Sequence, residues 1–330
     1  MANRYDDASL CLTAWVGHTS WRRREAGHPN SESRGMHVGI AGVGKMGAAI
    51  ALRLMDVGHD VTGWNRTAGR AKPLADAGAR VAATPAALAG SVDCVITILG
   101  SVAAWPGVYD GPDGLLAADL AGKLVIDMTT VQPSDVKALA AKVEAKGAAF
   151  VECPVGGTVA PARQGKLLGL AGGEPAAFAR AKPLLDQLCR RLEHLGPVGS
   201  GAAMKLAVNL PLMVAYQALA EAVILARSVG LSNEALMELL SDTSGAPTVL
   251  KSRHPAIAKT LGGEDPGGVN FDVDLICKDL RTMVAEAAAR GATLPVASAA
   301  LATFEKAQAE GWGPRDGVWL PAYWSGRQGR

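Results

Sequence analysis

Cysteine is scarce and scattered in this chain. Its five copies, Cys11, Cys94, Cys153, Cys189 and Cys277, make no C-x-x-C pair and no even-numbered framework. That argues against a disulfide scaffold and against structural zinc, so no metal is expected and a reducing, cytoplasmic setting is favoured. An excess of either charge is missing too, since 33 Lys and Arg against 31 Asp and Glu leave a formal charge of +2. Nucleic acid therefore has no electrostatic footprint here, and 49% hydrophobic with 19% charged residues excludes an intrinsically disordered chain. No apolar run is uninterrupted over a membrane-spanning length. The longest, about 206–225, is broken by Asn209, Pro211, Gln217 and Glu221, so a soluble helix is expected there and no membrane partner. Residues 1–35 lack sustained periodicity, and the apolar stretch 10–16 follows Asp6 and Asp7 rather than basic residues. They read as a flexible extension rather than a secretory signal, with Met36 a candidate alternative start.

Glycine, by contrast, is abundant at 39 of 330 residues, and three glycines stand where position gives them meaning. A short apolar run with Val38 and Ile40 feeds Gly42-Val43-Gly44-Lys45-Met46-Gly47, and helical spacing at Ile50, Leu54 and Met55 follows at once. A strand, a tight turn and a helix start need glycine where the chain turns, where backbone approaches a pyrophosphate, and where helix packs on strand. Gly42, Val43, Gly44, Lys45, Met46 and Gly47 are thus the expected phosphate site of a dinucleotide, facing the positive helix end.

Strand and helix signals then alternate. Strands are expected over 59–63, 80–83, 94–99, 124–128 and 149–153, with helices over 67–77 and 134–146. This predicts an α/β, Rossmann-type doubly wound parallel sheet whose ligand lies at the carboxyl ends of the strands. From Gly201 strand signals vanish, and Ala/Leu-rich helical stretches run over 202–229, 232–241, 272–290 and 295–310. Residues 36–199 are therefore assigned to a dinucleotide-binding domain. Residues 200–330 are assigned to an all-helical substrate and dimerisation domain that begins with a long linking helix. That helical half carries more apolar surface than a lone lobe covers, so a dimer or larger assembly is expected.

The second strand selects the nucleotide. An acidic side chain about 20 residues past the glycine turn would bind the ribose 2′-OH. Here the strand runs into Gly63-Trp64-Asn65-Arg66-Thr67, and Asp60 lies at its opposite end. Arg66 offers a planar, bidentate cation for a 2′-phosphate, and Asn65 and Thr67 add neutral polar contacts. NADP is therefore expected over NAD.

Two further stretches carry chemistry. Lys205 and Asn209 are four apart on an expected helix and share a face, with Gly201 one turn earlier leaving room for a ligand. Oxidising an alcohol needs a group that takes the hydroxyl proton as hydride leaves. Lysine suits this once burial and the nearby nicotinamide charge lower its pKa from about 10.4. Asn209 would orient the lysine or the substrate hydroxyl. Gly156-Gly157-Thr158 follows a strand end, and its N–H groups form a nest for a small carboxylate substrate, with Thr158 or Arg163 as a further donor.

Taken together and in order, these stretches resemble the β-hydroxyacid dehydrogenase family, which includes 3-hydroxyisobutyrate dehydrogenases and glyoxylate/succinic semialdehyde reductases. Residues 42–47 have its G-x-G-x-M-G form, residues 152–173 (ECPVGGTVAPARQGKLLGLAGG) are similar to its substrate segment, and 201–209 match G-x-x-x-K-x-x-x-N. Lys278-Asp279-Leu280, Gly311-Trp312-Gly313 and Asp316 are similar to its C-terminal K-D-L and G-x-G-x-x-D. The resemblance implies hydride transfer between NAD(P) and a small 3-hydroxy acid or its semialdehyde or keto form, with Lys205 as general acid and base. It also implies a cofactor site that includes Leu99, Thr130 and Lys278, a substrate site that includes Thr129, and a homodimer or homotetramer. The sequence departs from the family pattern at Gly156 (usually serine), Thr158 (usually glycine), Glu152 (usually aspartate) and Gly100 (usually proline after Leu99), changes that bear on the substrate. The alternatives are an NADPH-dependent imine reductase, a group that usually lacks a lysine at the position of Lys205, and a catalytically silent dinucleotide-binding scaffold or sensor.

Overall fold

His37–Ala41 (β1) enters as the central strand, buried from Val38 onward, as a strand covered on both faces must be. The computed structural model to which it belongs describes residues 35–327, so nearly all of the expected extension lies outside the described residues. Around β1, the strands β2 (Asp60–Trp64), β3 (Arg80–Val81), β4 (Cys94–Thr97), β5 (Leu124–Asp127) and β6 (Ala149–Glu152) pair in parallel in the order β3-β2-β1-β4-β5-β6. The order reverses between β1 and β4, opening a crevice at their carboxyl ends where such sheets take dinucleotides. The expected doubly wound sheet is observed. Helices α1 (Lys45–Asp56), α2 (Lys72–Asp76), α3 (Pro85–Gly90), α4 (Pro106–Tyr109) and α5 (Pro133–Glu144) connect the strands. Successive side chains face opposite layers: Ile96 and Ile126 join Ile50 and Leu54 on one face, while Val95 and Val125 join Leu88 and Leu139 on the other.

The sheet continues through β7 (Val155–Gly156), α6 (Val159–Arg163), β8 (Leu167–Gly173), α7 (Pro175–Leu185) and β9 (Cys189–His194). Here β8 runs antiparallel to β6 and β7 and parallel to β9. Periodicity does not announce these strands, because β8 reads LLGLAGG and lacks β-branched residues. Its glycines answer to close neighbours instead: a Cβ at Gly172 would fall 2.3 Å from the Glu152 carboxylate. The expected helix over 67–77 is replaced by a 3-10 turn, Ala68–Ala71, and the short α2. The expected third strand shrinks to two residues. The described cysteines, Cys94, Cys153, Cys189 and Cys277, are buried and unpaired, behaving as small apolar side chains.

Beyond β9 the described chain is helical: α8 (Ser200–Ala226), α9 (Asn233–Ser241), α10 (Thr248–Leu261), α11 (Val273–Ala289), α12 (Pro295–Ala307) and α13 (Leu320–Arg327). The sequence hides α10 because Pro255 sits inside it. Met213, Ile257, Ile276, Leu280 and Phe304 form the core of this half. Despite its polar interruptions, the segment Ser200–Val229 is long and apolar enough to cross a membrane by length and composition, a measure that the core helix of a soluble protein also meets. Two of those polar residues donate hydrogen bonds within the protein, Asn209 to Asp279 and Gln217 to Glu221. One face of α8 (Leu206, Met213, Leu219 and Val223) is buried in the helical core, while Met204, Val208 and Leu225 are exposed.

Candidate active site

The three glycines of the β1–α1 turn divide the work expected of them. Gly42 has φ +106°, and a Cβ there would meet the Ile98 carbonyl oxygen at 2.4 Å. At Gly47 a Cβ would lie 2.1 Å from the Gly42 oxygen, whereas Gly44 faces open space. The N–H groups of Gly42 and Val43 donate to the Trp64 oxygen (2.9 and 3.4 Å), tying the turn to β2. No side chain caps α1, so the N–H groups of Lys45, Met46 and Gly47 are the unspent donors of its first turn. These residues fit the pyrophosphate of a dinucleotide. The exposed Lys45 side chain donates to the Val269 oxygen, in the loop before α11.

At the end of β2, the Asn65 side-chain amide donates to the Thr67 oxygen at 3.0 Å and shapes the turn. Arg66 is exposed, and its guanidinium has no hydrogen bond or ion pair among the described residues. The same holds for Arg70, four residues on in the 3-10 turn, a second cation that the sequence reading passes over. The signal available for it was a repeat of positive charge at one-turn spacing.

A continuous polar chain ties the helical half to the strand ends. Lys205, on α8, is 7% exposed and donates from Nζ to Asn209 Oδ1 at 2.9 Å. Asn209 donates to Asp279 Oδ2 at 3.1 Å. Asp279 pairs with Lys278, and Lys278 Nζ donates to the Thr130 oxygen at 3.0 Å, crossing from α11 to the β5–α5 loop. Burial pushes the Lys205 ammonium down to about 8, with Asp279 pulling it up and Lys278 pushing it down. Lys205, Asn209, Lys278 and Thr130 thus come together although they are far apart in sequence. Asp279 was not among the expected site residues, and the signal for it was its place in the K-D-L run.

Thr129, expected in the substrate site, follows β5. It is buried, its hydroxyl donates to Asp127 Oδ2 at 3.1 Å, and it accepts the Leu99 N–H at 3.2 Å. In this arrangement it braces Leu99 and the strand ends. Asp127 also accepts from Thr97 Oγ1 (2.5 Å) and the Thr129 N–H (3.0 Å), and burial pushes it up to about 6.

In the 156–158 segment, Gly157 has φ +127°, a conformation glycine tolerates, and Thr158 is exposed. Gly156 is half-buried at the end of β7. Both terminal nitrogens of Arg163 are bound to Asp56 on α1, which fastens α6 to α1.

The geometry accords with relatives of known type. Residues 37–196 match the model of the NAD-binding domain of 6-phosphogluconate dehydrogenase, and residues 199–320 match that of the NAD-binding region of NADP-dependent 3-hydroxyisobutyrate dehydrogenase. Glyoxylate/succinic semialdehyde reductase 1 of Arabidopsis thaliana is 34% identical over 281 residues, 85% of this chain and 96% of that protein. The chain belongs to the β-hydroxyacid dehydrogenase family. Among solved structures, 3-hydroxyisobutyrate dehydrogenase from Salmonella typhimurium superposes with TM-score 0.79 at 28% identity, covering 87% of this chain and 99% of that one. A reductive aminase from Aspergillus terreus in complex with NADPH and ethyl levulinate is similar at TM-score 0.58 and 25% identity, covering 88% and 99%. As a β-hydroxyacid dehydrogenase, the chain is an NAD(P)-dependent oxidoreductase of the 3-hydroxyisobutyrate dehydrogenase and semialdehyde reductase type, acting on a small molecule.

Proposed function

We propose that this β-hydroxyacid dehydrogenase prefers NADP and interconverts a small 3-hydroxy acid with its semialdehyde or keto form, using Lys205 as general acid and base. When bound, the dinucleotide supplies or accepts the hydride. The observation that carries the reading is the state of Lys205, an amine buried beside Asn209 and pushed down to about 8, which holds or releases a proton near neutral pH. In reduction its ammonium donates to the carbonyl oxygen as negative charge develops there. In oxidation the neutral amine takes the hydroxyl proton. Asn209 keeps Nζ in place, and Asp279 keeps Asn209 in place. Two cations, Lys205 and Lys278, against the single carboxylate of Asp279 favour an anionic substrate, with the backbone of Gly156, Gly157 and Thr158 as the carboxylate nest.

NADP preference is supported by Arg66 and Arg70, exposed cations at the end of β2 with no partner among the described residues. The name of the Arabidopsis relative makes glyoxylate and succinic semialdehyde the first compounds to try. The test is a steady-state screen of short semialdehydes, keto acids and 3-hydroxy acids with NADP(H) and NAD(H), run on wild type and Lys205→Ala. Turnover of the variant within about tenfold of wild type overturns the role of the lysine, since acid–base catalysis supplies roughly 10²- to 10⁴-fold. Preferential turnover of cyclic imines would move the assignment toward the reductive aminases. The apolar residues exposed on α8, Met204, Val208 and Leu225, support a dimer or larger assembly, and light scattering that returns a monomer removes that part of the proposal.

A further inference from the structure

We propose that Glu152 is a positioning residue for Lys205: its carboxylate clamps the first turn of α8 to the sheet and so sets where the lysine amine stands above the strand ends. The inference rests on the reading of Lys205 as the proton donor and acceptor.

Glu152 is the last residue of β6, buried at the carboxyl edge of the sheet. Its Oε1 accepts the N–H groups of Gly199 (2.5 Å) and Gly201 (2.9 Å), and its Oε2 accepts that of Ala202 (3.1 Å). These donors lie at the start of α8, where a helix leaves N–H groups unspent and its dipole favours negative charge. The clamp spans some fifty residues of sequence and acts one turn below Lys205, which stacks directly above Gly201 on the same helix face.

The surroundings are shaped to admit this carboxylate. A Cβ at Gly172 would fall 2.3 Å from Oε1. One at Gly201 would lie 2.2 Å from the Leu170 oxygen and 3.3 Å from the Glu152 carboxyl carbon, and Gly199 has φ +99°. Glu152 also immediately precedes Cys153-Pro154-Val155-Gly156, so one side chain ties the substrate segment to the helix that carries the lysine.

The clamp is sensitive to protonation. Burial pushes Glu152 up to about 7, the three N–H groups pull it down, and Asp127, its register partner on β5, pushes it up. Lys137 of α5 lies against Gly199 at the clamp, and β8 brings Gly172 and Leu170 to it. As pH falls through about 7 the carboxylate takes a proton, an acceptor is lost and the clamp loosens.

The test measures kcat and KM against pH, NADPH affinity by fluorescence, and cooperative melting, on the full chain. In Glu152→Gln, an amide of the same shape turns one acceptor into a donor that faces backbone N–H groups. It should lower kcat tenfold or more, since a displacement of about 1 Å costs roughly a hundredfold. NADPH affinity should stay within about twofold, because the phosphate turn lies elsewhere, and the decline of reductive kcat below pH 7, where Lys205 stays protonated, should disappear. Glu152→Asp should recover most of the loss, and Gly172→Ala, which crowds Oε1 and leaves the carboxylate in place, should reproduce it. Wild-type kcat with an unchanged acid limb in Glu152→Gln overturns the clamp, as does a loss confined to KM or to cofactor affinity. If Glu152→Gln does not fold, wild-type kcat in Gly172→Ala overturns it instead. An inactive Lys205→Ala beside a normal Glu152→Gln defeats only the clamp, whereas an active Lys205→Ala defeats the reading beneath it.

Discussion

Two pairs of cations sit in opposite surroundings. Arg66 and Arg70 stand exposed and unpartnered at the end of β2, while Lys205 is buried, and with Lys278 it belongs to a hydrogen-bonded chain running from α8 through α11 to the β5–α5 loop. A guanidinium keeps its charge whatever surrounds it and suits a fixed anion such as a phosphate. A buried ammonium has lost part of its hydration and gives up its proton near neutrality. On the proposed reading, the exposed guanidinium groups bind the cofactor and the buried ammonium transfers the proton.

The strongest way to break this contrast is Lys205→Ala, which should reduce kcat by roughly 10²- to 10⁴-fold in steady-state assays. Affinity for NADPH, followed by fluorescence titration, should survive, and if affinity falls in step with kcat the lysine is a binding group after all. Arg66→Ala should then raise the KM for NADPH by roughly ten- to a hundredfold, the worth of a charge-assisted hydrogen bond, and leave the KM for NADH unchanged. An equal effect on both cofactors would remove the 2′-phosphate contact. Arg70→Ala should act in the same direction and more weakly.

The pH dependence sharpens the comparison. With Lys205 near 8, reduction should slow and oxidation should quicken as pH rises through that value. Asp279 pulls the lysine up, so Asp279→Asn should move both limbs to lower pH, and Lys278, which pushes it down, should do the reverse when replaced by Met. A limb that stays in place in Asp279→Asn assigns it to another group.

Stability should follow a different course. Folded Glu152 and Asp127 are raised to about 7 and about 6 from ordinary carboxylate values. Between the unfolded values and these, the native state therefore holds more protons than the unfolded one. Their contribution is complete below about pH 4 and is lost as pH rises through 6 and 7. Calorimetry should show a melting temperature that falls over that window and flattens in Glu152→Gln, even as the wild-type clamp becomes active. The smallest effect belongs to Arg163→Ala, which should leave kcat and KM within about twofold, because an exposed ion pair at the α6–α1 contact contributes little. A large rise in substrate KM would return Arg163 to the substrate site.

The sequence by itself determined what is local: the glycine turn, the strand–helix alternation, Arg66 without a carboxylate at the end of β2, and the pairing of Lys205 with Asn209. Each of these lies within a few residues, where covalent geometry and helix pitch leave little freedom. Tertiary structure alone decided the rest. It showed β8 and β9, whose pattern is masked by glycines that make room for neighbours. It committed Thr129 and Arg163 to Asp127 and Asp56. It brought Asp279 to Asn209 and Glu152 to the start of α8. Hydrogen-bond partners 47 to 70 positions apart leave no periodic trace in a chain, because their meeting depends on how the sheet edge and the helices pack.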